Sequence, residues 1–287
     1  MTPLTFQQFD TIYQDSVRKV FEHWTPQMQT ELAAHCHSWG PGLFDFRNYL
    51  KVSAVRFYKA YESIAVDEDC ERICDVGGFW GVFPLILKRI GYDVAMTESL
   101  KYYGESFTGL FRCIEDSGVQ IFDYDPFLPG VLLDDSFDVI AVMAVLEHYP
   151  HSLRHFMQNI RSLMRPDGKL YIEVPNVAYW PKRFGMLRGQ TPYAQLREIF
   201  LSDVPFIGHH HEFTIDELRD LAKLSGLAIL SEDFYNYTPG SLRNLKMLLR
   251  SPFQFMAFTF ARETRECMAI LCKLENCEKQ LMEKGTD

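Results

Sequence analysis

No stretch of about 18 apolar residues occurs in this 287-residue chain, so no membrane-spanning helix is expected. The N-terminal residues lack a basic segment followed by an apolar one, so no export signal is expected either. The seven cysteines, Cys36, Cys70, Cys74, Cys113, Cys267, Cys272 and Cys277, contain no C-x-x-C pair. Odd in number and scattered, they read as reduced thiols, and a cytoplasmic location is the expectation. Positive charge is scarce: 29 Lys and Arg stand against 38 Asp and Glu, a net −9. That argues against nucleic acid as a partner, since a general binder carries a basic surface. Internal repeats and low-complexity tracts are also missing. With 47% hydrophobic and 23% charged residues, the chain can bury a sizeable core in one or two domains.

The most informative stretch is 73–81, Ile-Cys-Asp-Val-Gly-Gly-Phe-Trp-Gly. Residues 72–76 read as a short buried strand running into a glycine-rich turn. A helix is expected to start near Gly81, with Pro84 in its first turn, where a missing N–H does no harm. Glycine at such a junction permits positive φ and lets the backbone pass close to a ligand. A second strand-like segment, 92–98, ends in Glu98. A glycine turn followed by a carboxylate one strand later is the layout of a nucleotide site at the switch point of a doubly wound sheet. The dinucleotide fingerprint G-x-G-x-x-G fails, because the glycines are Gly77, Gly78 and Gly81, and no P-loop run exists. The spacing that fits is D-x-G-x-x-x-G, at Asp75, Gly77 and Gly81.

That motif resembles the first motif of class I S-adenosylmethionine-dependent methyltransferases, usually D-x-G-x-G-x-G, with Phe79 standing in place of the middle glycine. The resemblance covers roughly residues 67–240 and continues in order. Phe-Asp-Val-Ile-Ala-Val-Met at 137–143 is similar to the family's fourth strand, and Leu146-Glu147-His148 to the segment after it. Residues 167–176 are similar to the fifth strand behind a Pro-Asp-Gly turn. Gly-His-His-His-Glu-Phe-Thr at 208–214 is similar to a G-H-x-x-E-[FY]-T segment of methyltransferases from glycan and secondary-metabolite pathways.

The resemblance implies an α/β fold, a Rossmann-like seven-stranded sheet, mostly parallel with an antiparallel last strand. It implies S-adenosylmethionine as cofactor and S-adenosylhomocysteine as product. Asp75, Gly77, Gly78, Phe79 and Gly81 are then expected to face the methionine part, and Glu98 both ribose hydroxyls. An acid ending the third strand takes the adenine amino group in this family, and the next residue offers its N–H. Asp123 followed by Tyr124 fits; so does Asp125, although Pro126 after it has no N–H. His148, at the ligand edge after the fourth strand, and His209 and His211, in the loop before a helix, are candidates for a catalytic base. Some quinone-pathway O-methyltransferases carry E-x-x-E-H here, around a metal. Ala144 replaces the first acid, and three adjacent imidazoles diverge, so no metal site is expected.

Residues 1–66 read as a helical N-terminal cap, broken at 39–42, and 67–287 as the cofactor-binding core. Leu153, Phe156, Met157, Ile160, Leu163 and Met164 form the apolar stripe of a packed helix. Thr214 and Glu217 form a capping-box pattern for a helix ending before Gly226. Residues 227–236 and 265–274 read as a closing antiparallel hairpin. A lid is expected at 177–213. Its first part, 177–197, holds Lys182, Arg183, Arg188 and Arg197 and no acid, with Tyr179, Trp180, Phe184 and Tyr193 interleaved. Arginine forks bind phosphates and carboxylates, and rings stack on pyranose faces. Tyr179, Trp180, Lys182, Arg183 and Arg188 are therefore expected to touch an anionic, sugar-like acceptor. A helical insertion at 241–260 mixes Arg243, Lys246 and Arg250 with leucines and phenylalanines, for packing on the core or peripheral contact with a membrane or partner. The expected function is O-methylation of an anionic sugar, sugar nucleotide or glycan intermediate. The alternatives are N- or C-methylation of a small metabolite, and a cofactor-binding scaffold without turnover.

Overall fold

The computed structural model describes residues 3–34, 45–65, 70–128, 136–150, 152–202, 206, 208–242 and 244–275. The expected break at 39–42, Cys36, Arg243 and the tail with Cys277 lie outside these residues.

Among the described residues, four helices precede the first strand: α1 (Phe6–Glu22), α2 (Pro26–Ala34), α3 (Phe46–Val52) and α4 (Ala54–Ile64). α1 opens on a capping box between Thr5 and Gln8. Its inward residues Phe9, Tyr13 and Val20 join one hydrophobic core with Phe83, Ile86 and Leu87. The N-terminal helices and the sheet layer therefore share their packing.

The chain then alternates through β1 (Arg72–Val76), α5 (Val82–Ile90), β2 (Asp93–Glu98), α6 (Thr108–Asp116), β3 (Gln120–Asp123), β4 (Phe137–Met143), α7 (Arg154–Ser162) and β5 (Met164–Pro175). It continues through α8 (Trp180–Met186), α9 (Leu196–Leu201), α10 (Ile215–Leu224), β6 (Leu227–Tyr235), α11 (Leu245–Arg250), α12 (Pro252–Phe260) and β7 (Cys267–Leu274). The seven strands form one sheet in the order β3-β2-β1-β4-β5-β7-β6. β1 to β5 run parallel, and β7 runs antiparallel to both its neighbours. This is the expected Rossmann-like sheet, and the closing hairpin is present. β7 takes its inner place and β6 the edge. The order reverses direction between β1 and β4, where the carboxyl ends of a parallel sheet open a crevice for ligands.

Two local readings change. The Pro166-Asp167-Gly168 segment is not a turn before β5 but lies within it. Phe137 pairs with Met164, and pairing resumes only at Val139 with Lys169. Proline has no N–H for the ladder, so the strand bulges outward there. Met164, at the end of the apolar stripe, belongs to β5 and not to α7, which ends at Ser162. The capping box at Thr214 and Glu217 is formed, and α10 ends at Leu224.

Candidate active site

The carboxyl ends of β1, β2, β4 and β5 open onto a cavity of about 680 Å³, inside the ~300–1,000 Å³ range of small-molecule sites. The turn after β1 forms one wall. Gly77 and Gly78 both donate to the Thr97 carbonyl, at 3.0 and 3.3 Å, which draws the turn against β2. Gly77 sits at φ 67°, and a Cβ there would meet Val145 Cγ2 at 2.9 Å. Phe79 holds φ 53°. The position where the family motif has glycine thus demands left-handed backbone, and this chain meets the demand with a side chain that ordinarily avoids it. The Phe79 ring stacks on Trp80 with centroids 4.6 Å apart, and its N–H donates to Glu98 Oε1.

Glu98 ends β2 with only 9% of its surface exposed. Its other oxygen accepts from the Tyr103 hydroxyl at 2.9 Å. Burial pushes its carboxyl up to about 7, against the pull of the hydrogen bonds from Tyr103 and Phe79. Burial likewise lifts Asp75 well above the usual carboxylate range, and the Glu98 charge adds to the shift.

The opposite wall is built by two loops clamped together. The Glu147 carbonyl, after β4, accepts from the N–H groups of His210 at 2.7 Å and His211 at 3.3 Å. This brings His148 and His209 edge to face, with ring centroids 4.8 Å apart. His209 Nδ1 lies 2.9 Å from Glu212 Oε1, and Glu212 also meets Lys182. Glu147 is fully buried, and neither of its carboxyl oxygens has a hydrogen-bond partner. Burial pushes that carboxyl up to about 7, partly offset by His209. Ala144, between β4 and this turn, is the second non-glycine residue in left-handed backbone, at φ 51°.

A sequence model of the methyltransferase domain matches residues 46–232. The chain belongs to this methyltransferase-domain family. No curated protein matches it in sequence. Among solved structures, an S-adenosylmethionine-dependent methyltransferase from Archaeoglobus fulgidus superposes with a TM-score of 0.51 at 15% identity, over 80% of this chain and 100% of its own. N-methyltransferase NodS from Bradyrhizobium japonicum WM9, in complex with S-adenosyl-L-homocysteine, gives 0.52 at 10% identity, over 88% and 100%. An S-adenosylmethionine-dependent methyltransferase from Mesorhizobium loti gives 0.50 at 14%, over 77% and 97%. At these identities the likeness is one of fold.

In this methyltransferase, Asp75, Gly77, Gly78, Phe79, Glu98, Tyr124, His148 and His209 all line the cavity. Gly81, Asp123 and His211 do not. Gly81 answers to sterics: at φ 69°, its absent Cβ would sit 2.6 Å from Ile114 Cδ1. Asp123 accepts from the Leu100 N–H at 3.0 Å, whereas Asp125 is on the wall. The Tyr124 N–H, expected to be offered to adenine, is spent on the Glu98 carbonyl at 2.9 Å. His211 turns to Glu217 at the start of α10, 3.1 Å away.

The acceptor residues expected on the lid also stand off the cavity wall. Tyr179 stacks on Phe258, 5.7 Å between centroids, and Trp180 opens α8. Lys182 is held by Glu212. Arg183 donates to the Ala178 carbonyl at 2.5 Å, and the Arg188 guanidinium lies over Phe184 at 4.1 Å. Arg56 of α4 and Glu173 of β5 do line the cavity. Arg56 Nε and Nη2 donate to Glu173 Oε2 at 2.8 and 2.5 Å, and Nη1 to the Tyr49 hydroxyl at 2.6 Å. The sequence did signal both. Arg56 falls on the buried stripe with Ala60 and Ile64, and Glu173 interrupts the apolar run of a buried strand.

Proposed function

We propose that this methyltransferase transfers the methyl group of S-adenosylmethionine to an acceptor held in the same cavity. The observation that carries the reading is that the β1 turn and Glu98 face Glu147, His148 and His209 across a single cavity. Asp75, Gly77, Gly78 and Phe79 hold the methionine part. Glu98 accepts the two ribose hydroxyls, a vicinal diol that matches the two oxygens of a carboxylate, with Tyr103 giving way. Asp125 is the acid nearest the adenine. Transfer is an in-line displacement, and most of the acceleration comes from holding the nucleophile about 3 Å from the methyl carbon. The arrangement is tested by calorimetry: Glu98→Ala should weaken S-adenosylhomocysteine binding by about 1–3 kcal/mol, the range for hydrogen bonds to a charged group. An unchanged affinity moves the ribose contact elsewhere.

The acceptor atom is an oxygen in the first reading, because two imidazoles border the transfer point and a hydroxyl must lose a proton. His148 is the first candidate to receive it, His209 the second. The acceptor end is formed by Tyr49, Arg56, Glu173 and Tyr237, aromatic with one buried ion pair. A sugar-like acceptor with an anionic group would turn the anion away from Glu173, toward the basic lid residues Arg183 and Arg188 outside the cavity wall. A second reading, an amine acceptor, is favoured by the two buried carboxylates Glu147 and Glu173 on the wall. A neutral amine needs no base. Rates that survive His148→Ala and His209→Ala would select the amine, and losses of about 10²–10⁴-fold the hydroxyl.

A further inference from the structure

A fully buried carboxylate with no hydrogen-bond partner on either oxygen is costly to keep unless something in the working state meets it. Glu147 is such a group. Facing it are His148 and His209, and one ligand atom from each of the three lies within 4.8 Å of the others. His209 Nε2 stands 4.0 Å from Glu147 Oε1. The far nitrogen of the same ring is oriented by the Glu212 carboxylate at 2.9 Å. A carboxylate behind the second nitrogen is the usual support of a metal-ligating histidine. The backbone bonds from His210 and His211 to the Glu147 carbonyl hold the two loops in register.

We propose that Glu147, His148 and His209 bind one divalent transition-metal ion, with a coordination position open to the cavity. With Ala144 in place of an acid, the sequence led to the expectation of no metal site; here a third ligand comes instead from His209, in the loop before α10. Two imidazoles and a carboxylate suit Zn²⁺, Mn²⁺ or Fe²⁺ better than Mg²⁺ or Ca²⁺, which prefer all-oxygen shells. Around a tetrahedral ion with bonds of about 2.1 Å, ligand atoms stand about 3.4 Å apart. The three groups therefore close on an ion by side-chain rotations of about an ångström. Three protein ligands leave a place for substrate, as in catalytic rather than structural sites.

The ion's role, though not its binding, rests on the methyl-transfer reading of the cavity. The acceptor hydroxyl takes the open position, where coordination lowers its proton affinity. Its proton leaves to solvent. An oxygen lone pair forms the new C–O bond as the C–S bond breaks, and that bond's electrons return to sulfur, turning the sulfonium into a neutral thioether. His148 and His209 are then ligands rather than bases.

The full chain, stripped with a chelator that is then removed, is titrated with Zn²⁺ by calorimetry and with Mn²⁺ by electron paramagnetic resonance. One ion per chain is expected. His209→Ala should weaken binding by about 100-fold or more, and Glu212→Gln, which loosens the ring's support along with the Lys182 pair, by about 10–100-fold. The His209 side chain is 37% exposed, so its truncation leaves the core closed; retained S-adenosylhomocysteine affinity checks that. No stoichiometric binding, or binding indifferent to His209→Ala and Glu147→Gln, overturns the site. Specific ion binding in a chain that takes neither adenosyl compound upholds the site and defeats the methyl-transfer reading instead. Hydroxyl methylation untouched by the chelator overturns the ion's role and returns the proton to histidine.

Discussion

Phe79 and Ala144 are the two described non-glycine residues with positive φ, and both line the cavity. Left-handed backbone costs an L residue roughly 1–2 kcal/mol, and such strain gathers where a site dictates the chain path. Ala144→Gly should raise unfolding stability by about 0.5–1 kcal/mol in a urea titration. A loss of stability would mean that the Ala144 methyl contributes more than its backbone costs. Glu98 makes a second prediction. Its carboxyl sits at about 7 in the folded chain, above its ordinary value of 4.5. The folded state thus binds that proton more tightly than the unfolded chain, and the group's contribution to stability falls as pH rises from about 4.5 to about 7. The ionised form is the one that accepts both ribose hydroxyls. Cofactor affinity should therefore rise from pH 6 to pH 8 in the native protein, and stay flat in Glu98→Gln. Matching profiles in the two proteins would show that Glu98 does not titrate on binding. At this scale the motif residues were legible, because glycine spacing and a strand-end acid reflect local backbone demands. Arg56 and Glu173 were not paired in the sequence reading, since their partnership spans α4 and β5. The lid cations show the converse: a run of basic residues shows charge but not which neighbour already holds it, as Glu212 holds Lys182.

Among the elements, α4 and β5 are joined by the Arg56–Glu173 pair, whose side chains are 7% and 1% exposed. Removing one member of a buried pair leaves an uncompensated charge and costs about 3–5 kcal/mol. Arg56→Met should lose that much in denaturant unfolding, and Arg56→Met with Glu173→Leu should recover about 2 kcal/mol or more of it. Equal losses in the single and double variants would show that the pair is not what couples helix to strand. The strands themselves were legible from apolar runs closed by turn residues, and α10 from its capping box. The Pro-Asp-Gly bulge in β5 was misread because the same residues make a turn or a bulge, and only the pairing of Phe137 with Met164 decides which. Toward the surface, α9, α11 and α12 leave Leu196, Phe200, Leu249, Phe253 and Phe260 largely exposed.

For the whole molecule, the single sheet opens the cavity at the carboxyl ends of its parallel strands, and residues of α3 and α4 line it as well. No described helix is long and apolar enough to cross a membrane. The fold class was readable from the alternation of strands and helices. The acceptor was not, because the residues we propose for its end of the cavity come from α3, α4, β5 and the segment around Tyr237, four places that no linear motif connects. The central claim is that the β1 turn and Glu98 form a site for S-adenosylmethionine. Its most direct test is a calorimetric titration of the purified chain with S-adenosylhomocysteine. One saturable site that S-adenosylmethionine competes for is the predicted result. No heat with either compound, but clear heat with NAD, would contradict it.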